Sequence, residues 1–102
     1  MKALKLNLVN AFKLSVLHPD TFEVPSFEDI AAIQVDDFVK VCLEEDNKNG
    51  ERFWCQVKKI DPAHRLIEAE VNNNLVFYDY PVGTLLEITF DQVYNVIQNE
   101  EA

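Results

Sequence analysis

The chain has 102 residues, 48% of them hydrophobic, which suits one domain whose core needs neither disulfide nor metal, and excludes a disordered chain. Eighteen acids against nine bases give a net charge of -9, which argues against a direct nucleic-acid or anionic-membrane surface, because such partners need phosphate neutralisation by Lys and Arg. No apolar run reaches the ~18 residues of a membrane-spanning helix, and Lys5, Asn7, Asn10 and Lys13 interrupt the opening stretch, so it reads as part of the fold rather than as a signal peptide.

Residues 3–17 carry two patterns. Leu4, Leu6 and Leu8 alternate as in a strand, whereas Leu8, Ala11, Phe12 and Val16 recur at helical spacing. The lysines, leucines and alanines favour a helix, and His18-Pro19 stops it, since the residue before proline is driven out of the α region. The expectation is a strand no longer than Lys2–Leu6, then a helix to about Leu17. Pro19 to Pro25 is an extended connector. Ser26 followed by Asp29 is a weak capping box, and it predicts a short helix from Phe27 to about Ile33.

From Asp37 onward the period is two. Val39, Val41 and Leu43 share one face; Phe53, Cys55 and Val57 share another, with Trp54, Gln56 and Lys58 opposite. Asn49-Gly50 suggests a two-residue hairpin turn, but that turn would set Leu43 on Gln56 and Val41 on Lys58. Pairing Glu44 with Arg52 instead sets Leu43 on Phe53, Val41 on Cys55 and Val39 on Val57, which keeps apolar side chains together. The loop is then about five residues, Asp46 to Gly50, with Gly50 at positive φ. In this register Cys55 faces the core and Cys42 lies beside Trp54 on the opposite face, so a disulfide between them is disfavoured.

Asp61-Pro62-Ala63-His64 is a turn. Leu66 to Val71 is a third strand with Ile67, Ala69 and Val71 inward and Glu68 and Glu70 outward, beside Gln56 and Lys58. Asn72-Asn73-Asn74 ends it. Leu75 to Pro81 is aromatic-rich, Gly83 turns the chain into a fourth strand at Leu85 to Phe90, a helical turn follows at Asp91-Gln92-Val93, and a last strand runs from Tyr94 to Ile97; Glu100 to Ala102 should fray. Five short strands with a helical turn before the last describe an α+β, mainly β fold: a small SH3-like, partly open antiparallel barrel with an N-terminal helix and a short second helix. It occupies residues 1–102 as one domain, with residues 1–35 packed on the sheet of residues 36–98.

Val39-Lys40, Gly50-Glu51-Arg52-Phe53-Trp54, Asn72 to Asn74, Gly83 and Phe90, with His18-Pro19 and Phe22 upstream, resemble a family of small uncharacterised bacterial proteins, a domain of unknown function. The resemblance implies a compact β fold and a bacterial or mobile-element origin, and it implies no activity. Where that family commonly has Gly-Asp before the first strand, this chain has Asp36-Asp37.

For function, the first expectation is a non-enzymatic protein-binding or regulatory module. Its candidate contacts are Trp54, Asn72, Asn73, Asn74, Tyr78 and Tyr80, because tryptophan and tyrosine are enriched at interface hot spots. The competing structural reading has the N-terminal helix covering Trp54 and the tyrosines packing on the barrel end. The alternative function is a DNA-mimicking inhibitor of a nucleic-acid-binding protein, whose acidic surface would be Glu44, Glu45, Asp46, Glu68 and Glu70. An enzyme is not expected: Asp36-Asp37 and Glu68/Glu70 lack separated acid and base environments, two glycines leave no phosphate loop, there is no CxxC, and His18 and His64 stand in unrelated turns. No cofactor and no metal are implied. The partner is another protein, the thiols point to a reducing cytoplasm, and the oligomeric state stays open, with a homodimer invited by any uncovered edge strand.

Overall fold

The computed structural model describes residues 2–45 and 49–100. The elements in chain order are α1 (Ala11–Leu17), α2 (Phe27–Ala31), β1 (Phe38–Leu43), β2 (Glu51–Asp61), β3 (Leu66–Val71), β4 (Leu85–Thr89), a 3-10 helix (Phe90–Gln92) and β5 (Asn95–Ile97). The five strands form one antiparallel sheet in the order β4-β3-β2-β1-β5. This is the mainly β, partly open barrel that the strand spacing predicts.

Both helices begin where their caps lie. The Asn10 side chain accepts the Lys13 amide at 2.8 Å, and the Ser26 hydroxyl accepts the Asp29 amide at 3.1 Å, with Glu28 and Asp29 at the positive helix end. Helix α2 stops at Ala31, short of the expected Ile33, whose side chain instead joins the core. Helix α1 packs on the 3-10 helix.

One face of the sheet makes the core. Val39, Val41 and Leu43 of β1, Phe53, Cys55 and Val57 of β2, Ile67, Ala69 and Val71 of β3, and Leu86 and Ile88 of β4 are all buried, with Leu8, Ile33, Tyr78 and Val93 closing over them. The period-two pattern therefore assigns every inward side chain of β1 to β3 correctly. A bulge between Val57 and Lys59, which the sequence pattern does not reveal, leaves Lys58 unpaired in the ladder and carries the pairing on to Ile60 opposite Ile67.

The register between β1 and β2 differs from the expected one. Leu43 pairs with Glu51, Cys42 with Arg52, Val41 with Phe53, Lys40 with Trp54 and Val39 with Cys55, a displacement of two residues from the pairing of Glu44 with Arg52. A shift of two leaves each side chain on its own face, so the hydrophobic pattern cannot detect it. Gly50 is not at positive φ; that conformation belongs to Gly83, at 96°. What Gly50 provides is room, since a Cβ there would stand 3.0 Å from Cys42 Sγ. Residues 46–48 of the connecting loop, including the acidic candidate Asp46, fall outside the described residues, as do the last two residues of the expected frayed end.

The two patterns read in residues 3–17 are both used. Leu4 makes a parallel bridge to Leu86, with its amide bonded to Leu85 O at 2.9 Å and its carbonyl accepting Glu87 N at 2.8 Å. Four residues on, Leu8 makes an antiparallel bridge to Leu43, flanked by Val9 N to Cys42 O at 2.9 Å and Glu44 N to Asn7 O at 3.2 Å. This stretch thus joins the outer edge of β4 to the outer edge of β1, past the point where β5 leaves it, and draws the open sheet toward a barrel. Helix α1 starts only afterwards.

Two buried carboxylates tie down the connections. Asp37 accepts the amides of Gln34 and Asn99, both at 2.9 Å, and Glu51 accepts those of Val76 and Phe77 at 2.6 and 2.8 Å. Each replaces water with two charge-assisted hydrogen bonds.

Candidate functional site

The outer face of β1 and β2 holds a groove of about 530 Å³ around Trp54. Its walls include Phe38 and Lys40 of β1, Arg52 and Trp54 of β2, Asn72 and Asn73 after β3, and Ile97 of β5. Trp54 is half-buried. Its backbone is pinned on the side where β3 has ended: the Asn73 Oδ1 atom accepts the Trp54 amide at 2.7 Å, and the Trp54 carbonyl accepts the Asn72 amide at 2.9 Å. The asparagines thus carry the strand pairing one step further, and Asn73 does so with its side chain.

Two cations stand over aromatic rings here. Lys40 Nζ lies 5.8 Å from the centre of the Trp54 ring, and Arg52 Cζ lies 5.1 Å from that of Tyr94. Tyr94 in turn meets Phe22 edge-on, 5.3 Å between ring centres. Among the described residues neither Lys40 nor Arg52 forms an ion pair, whereas Lys5, Lys58 and Arg65 have carboxylate partners. Behind Arg52 the Cys42 thiol is buried against Tyr94. Burial raises the thiol's pKa, opposed by the Tyr94 hydrogen bond and Arg52; burial and then Cys42 push the Tyr94 phenol up to about 12. Both groups are neutral at physiological pH.

The other predicted contact residues lie elsewhere. Tyr78 is buried at the barrel end, its hydroxyl accepting the Glu45 amide at 2.8 Å and standing 3.2 and 3.4 Å from the carbonyls of Glu45 and Asn49. Tyr80 reaches the Glu45 carboxylate at 3.4 Å. Both tyrosines therefore hold the 75–81 stretch over the barrel end and do not join Trp54. Asn74 is exposed, its carbonyl accepting from the Asn73 amide group at 3.3 Å, outside the groove.

The acidic candidates are also divided. Glu45 accepts the Asn7 amide at 3.2 Å as well as bonding Tyr80, Glu70 lies 3.7 Å from Lys58, Glu68 pairs with Lys59 across the bulge, and Glu44 is exposed at the end of β1. Glu68 and Glu70 sit along the middle of the sheet, away from the β1–β2 loop.

Among the described residues no group of three His, Cys, Asp or Glu could hold a metal ion, and no helix is long and apolar enough to cross a membrane. Cys55 is fully buried, its thiol pushed up to about 12 by burial, the opposite of an activated nucleophile. His64 bonds Asp61 at 2.8 Å in an exposed turn. A larger apolar cleft, about 810 Å³, lies at the other end of β2 between Phe12, Phe27, Ile30, Pro62 and Phe90. The two charges on its wall, Arg65 and Asp91, stand 3.6 Å apart and compensate each other, and its Ser26 hydroxyl caps helix α2.

No family model matches the chain, and comparison with curated proteins and with solved structures gives no match either. Lys40, Arg52, Phe38 and Ile97 are the groove residues that the sequence reading passes over. Alternation already places Lys40 and Arg52 on the Trp54 face in either register; Phe22 and Tyr94 reach it only through long-range packing.

Proposed function

We propose that this chain is a non-enzymatic binding module that holds a protein partner on the outer face around Trp54. The observation that carries the reading is the groove itself: a half-buried tryptophan beside two cations that, among the described residues, form no ion pair and have no acid in the groove lining, in a protein of net charge -9. Tryptophan and arginine in a partly desolvated concavity are the residue types that dominate binding energy at protein interfaces. A bacterial or mobile-element origin accompanies this reading through the resemblance carried by Gly50 to Trp54, and a cytoplasmic setting through the two free thiols. Phosphate mimicry by the acids has less support, because Glu45 and Glu70 are engaged within the fold and Glu68 lies apart from them along β3, opposite Lys59 in strand register.

The test is affinity capture from a bacterial lysate at low and high salt, with the wild type and Trp54→Ala side by side. A hot-spot tryptophan is worth at least about 2 kcal/mol, so the variant should lose a partner that the wild type retains at high salt. A partner released by salt and captured equally by Trp54→Ala would instead indicate the acidic surface.

A further inference from the structure

Building on that reading of the Trp54 face, we propose that the segment held there is an acidic, extended stretch of polypeptide. Charge is the first ground. Lys40 pairs with Trp54 and Cys42 with Arg52, so Lys40 and Arg52 are diagonal neighbours on adjacent strands, two like charges with no ion pair among the described residues. Like charges so placed repel each other unless an anion joins them. Glu23 shares the adjoining hollow with both cations and Glu44 lies beside Gly50, yet neither acid forms an ion pair with them. The aromatic rings under each cation limit the positions of the charged heads before any ligand arrives, which reduces the ordering cost of binding.

Spacing is the second ground. Diagonal neighbours on an antiparallel pair lie roughly 7–8 Å apart, and alternate residues of an extended chain are separated by roughly 6.6–6.8 Å. Two carboxylates at alternate positions of an extended segment therefore meet both cations, while the residue between them points away from the groove. Phe38 and Ile97 at one end supply an apolar wall for a flanking side chain, and the exposed Asn72 at the other end offers an amide to a peptide backbone. Cations and aromatic rings also suit single-stranded nucleic acid, but the remaining charge of this protein opposes a polyphosphate far more than a short acidic segment.

Trp54 is the only tryptophan, so its fluorescence reports on the groove directly. The probes are a short peptide alternating glutamate with leucine, its glutamine-for-glutamate and lysine-for-glutamate counterparts, and an oligothymidylate. The glutamate peptide should change Trp54 emission saturably and bind at least about tenfold more tightly than the glutamine peptide, with a preference that falls as salt rises. Lys40→Glu combined with Arg52→Glu should reverse the preference toward the lysine peptide, with circular dichroism checking that the variant stays folded. Equal binding of glutamate and glutamine peptides overturns the acidic preference and leaves the Trp54 interface standing. Tighter binding of the oligothymidylate or the lysine peptide to the wild type overturns it as well. A response to none of the probes also overturns it, and the capture experiment with Trp54→Ala then decides separately whether the face binds protein at all.

Discussion

Asp36 has φ of 78°, the left-handed region that costs an ordinary L-residue about 1–2 kcal/mol and that Asp and Asn tolerate best after Gly. The turn needs this angle because Asp36 N bonds Val57 O while Val57 N bonds Asp37 O, both at 2.8 Å, which brings the chain back along β2 before β1 begins. Asp36→Gly should hold stability within about 0.5 kcal/mol, since lost strain and the added freedom of the unfolded chain offset each other, while Asp36→Val should lose about 1–2 kcal/mol. Urea unfolding checks the order, and a valine variant as stable as the parent would contradict it. Alternation placed Cys55 in the core. It did not show that Asp37 and Glu51 are buried, because a carboxylate's cost of burial is met only by backbone amides brought in from distant segments, such as Asn99 and Phe77.

Strand faces were readable from the pattern and strand offset was not, for one reason: apolar alternation repeats every two residues, so offsets differing by two bury the same side chains. The observed offset places Gly50 directly over Cys42 Sγ and lets the Glu51 carboxylate reach the 75–81 stretch, neither of which is a property of the strand itself. The N-terminal stretch was ambiguous because it joins the sheet through isolated bridges at Leu4 and Leu8 rather than a continuous ladder, and then turns into a capped helix. Leu4→Pro deletes the amide that bonds Leu85 O and uncovers the outer edge of β4. An uncovered edge is a template for another chain, so this variant should associate with a concentration-dependent rise in apparent mass by size-exclusion chromatography. A monomeric variant of unchanged elution would remove the edge-covering role of Leu4. Trp54, Asn72 and Asn73 stand together as the sequence suggested, but the tyrosines were not separable from them, since folding of the barrel end draws the Tyr78 hydroxyl to the Glu45 backbone and that of Tyr80 to the Glu45 carboxylate.

At the scale of the whole molecule, the acid excess was the most visible feature and Lys40 with Arg52 the least, because a net charge hides a local exception to it. The buried thiols also set how the protein meets alkali. Cys55 titrates near 12 in the fold against 9.0 for an ordinary thiol. Its folded value lies above the unfolded one, so the stability linked to the neutral thiol is complete below pH 9 and is lost as pH rises toward 12, by up to about 1.4 kcal/mol per pH unit. Tyr94, also raised to about 12 from 10.0, adds to the decline above its own ordinary value. Denaturant melts across alkaline pH should show this fall, shallower in Cys55→Val, and a profile flat well above pH 9 would contradict it. The bridges at Leu4 and Leu8 bear on the order of assembly. Leu8 receives a side-chain hydrogen bond from Gln92, 84 residues away in sequence, and Leu4 joins β4 only once that strand exists. A segment near the start of the sequence must therefore wait for strands near its end, and contacts of such long sequence separation make folding slow. The hairpins can form first, and the barrel is drawn together afterwards, so Leu8→Ala should hasten unfolding far more than it retards refolding.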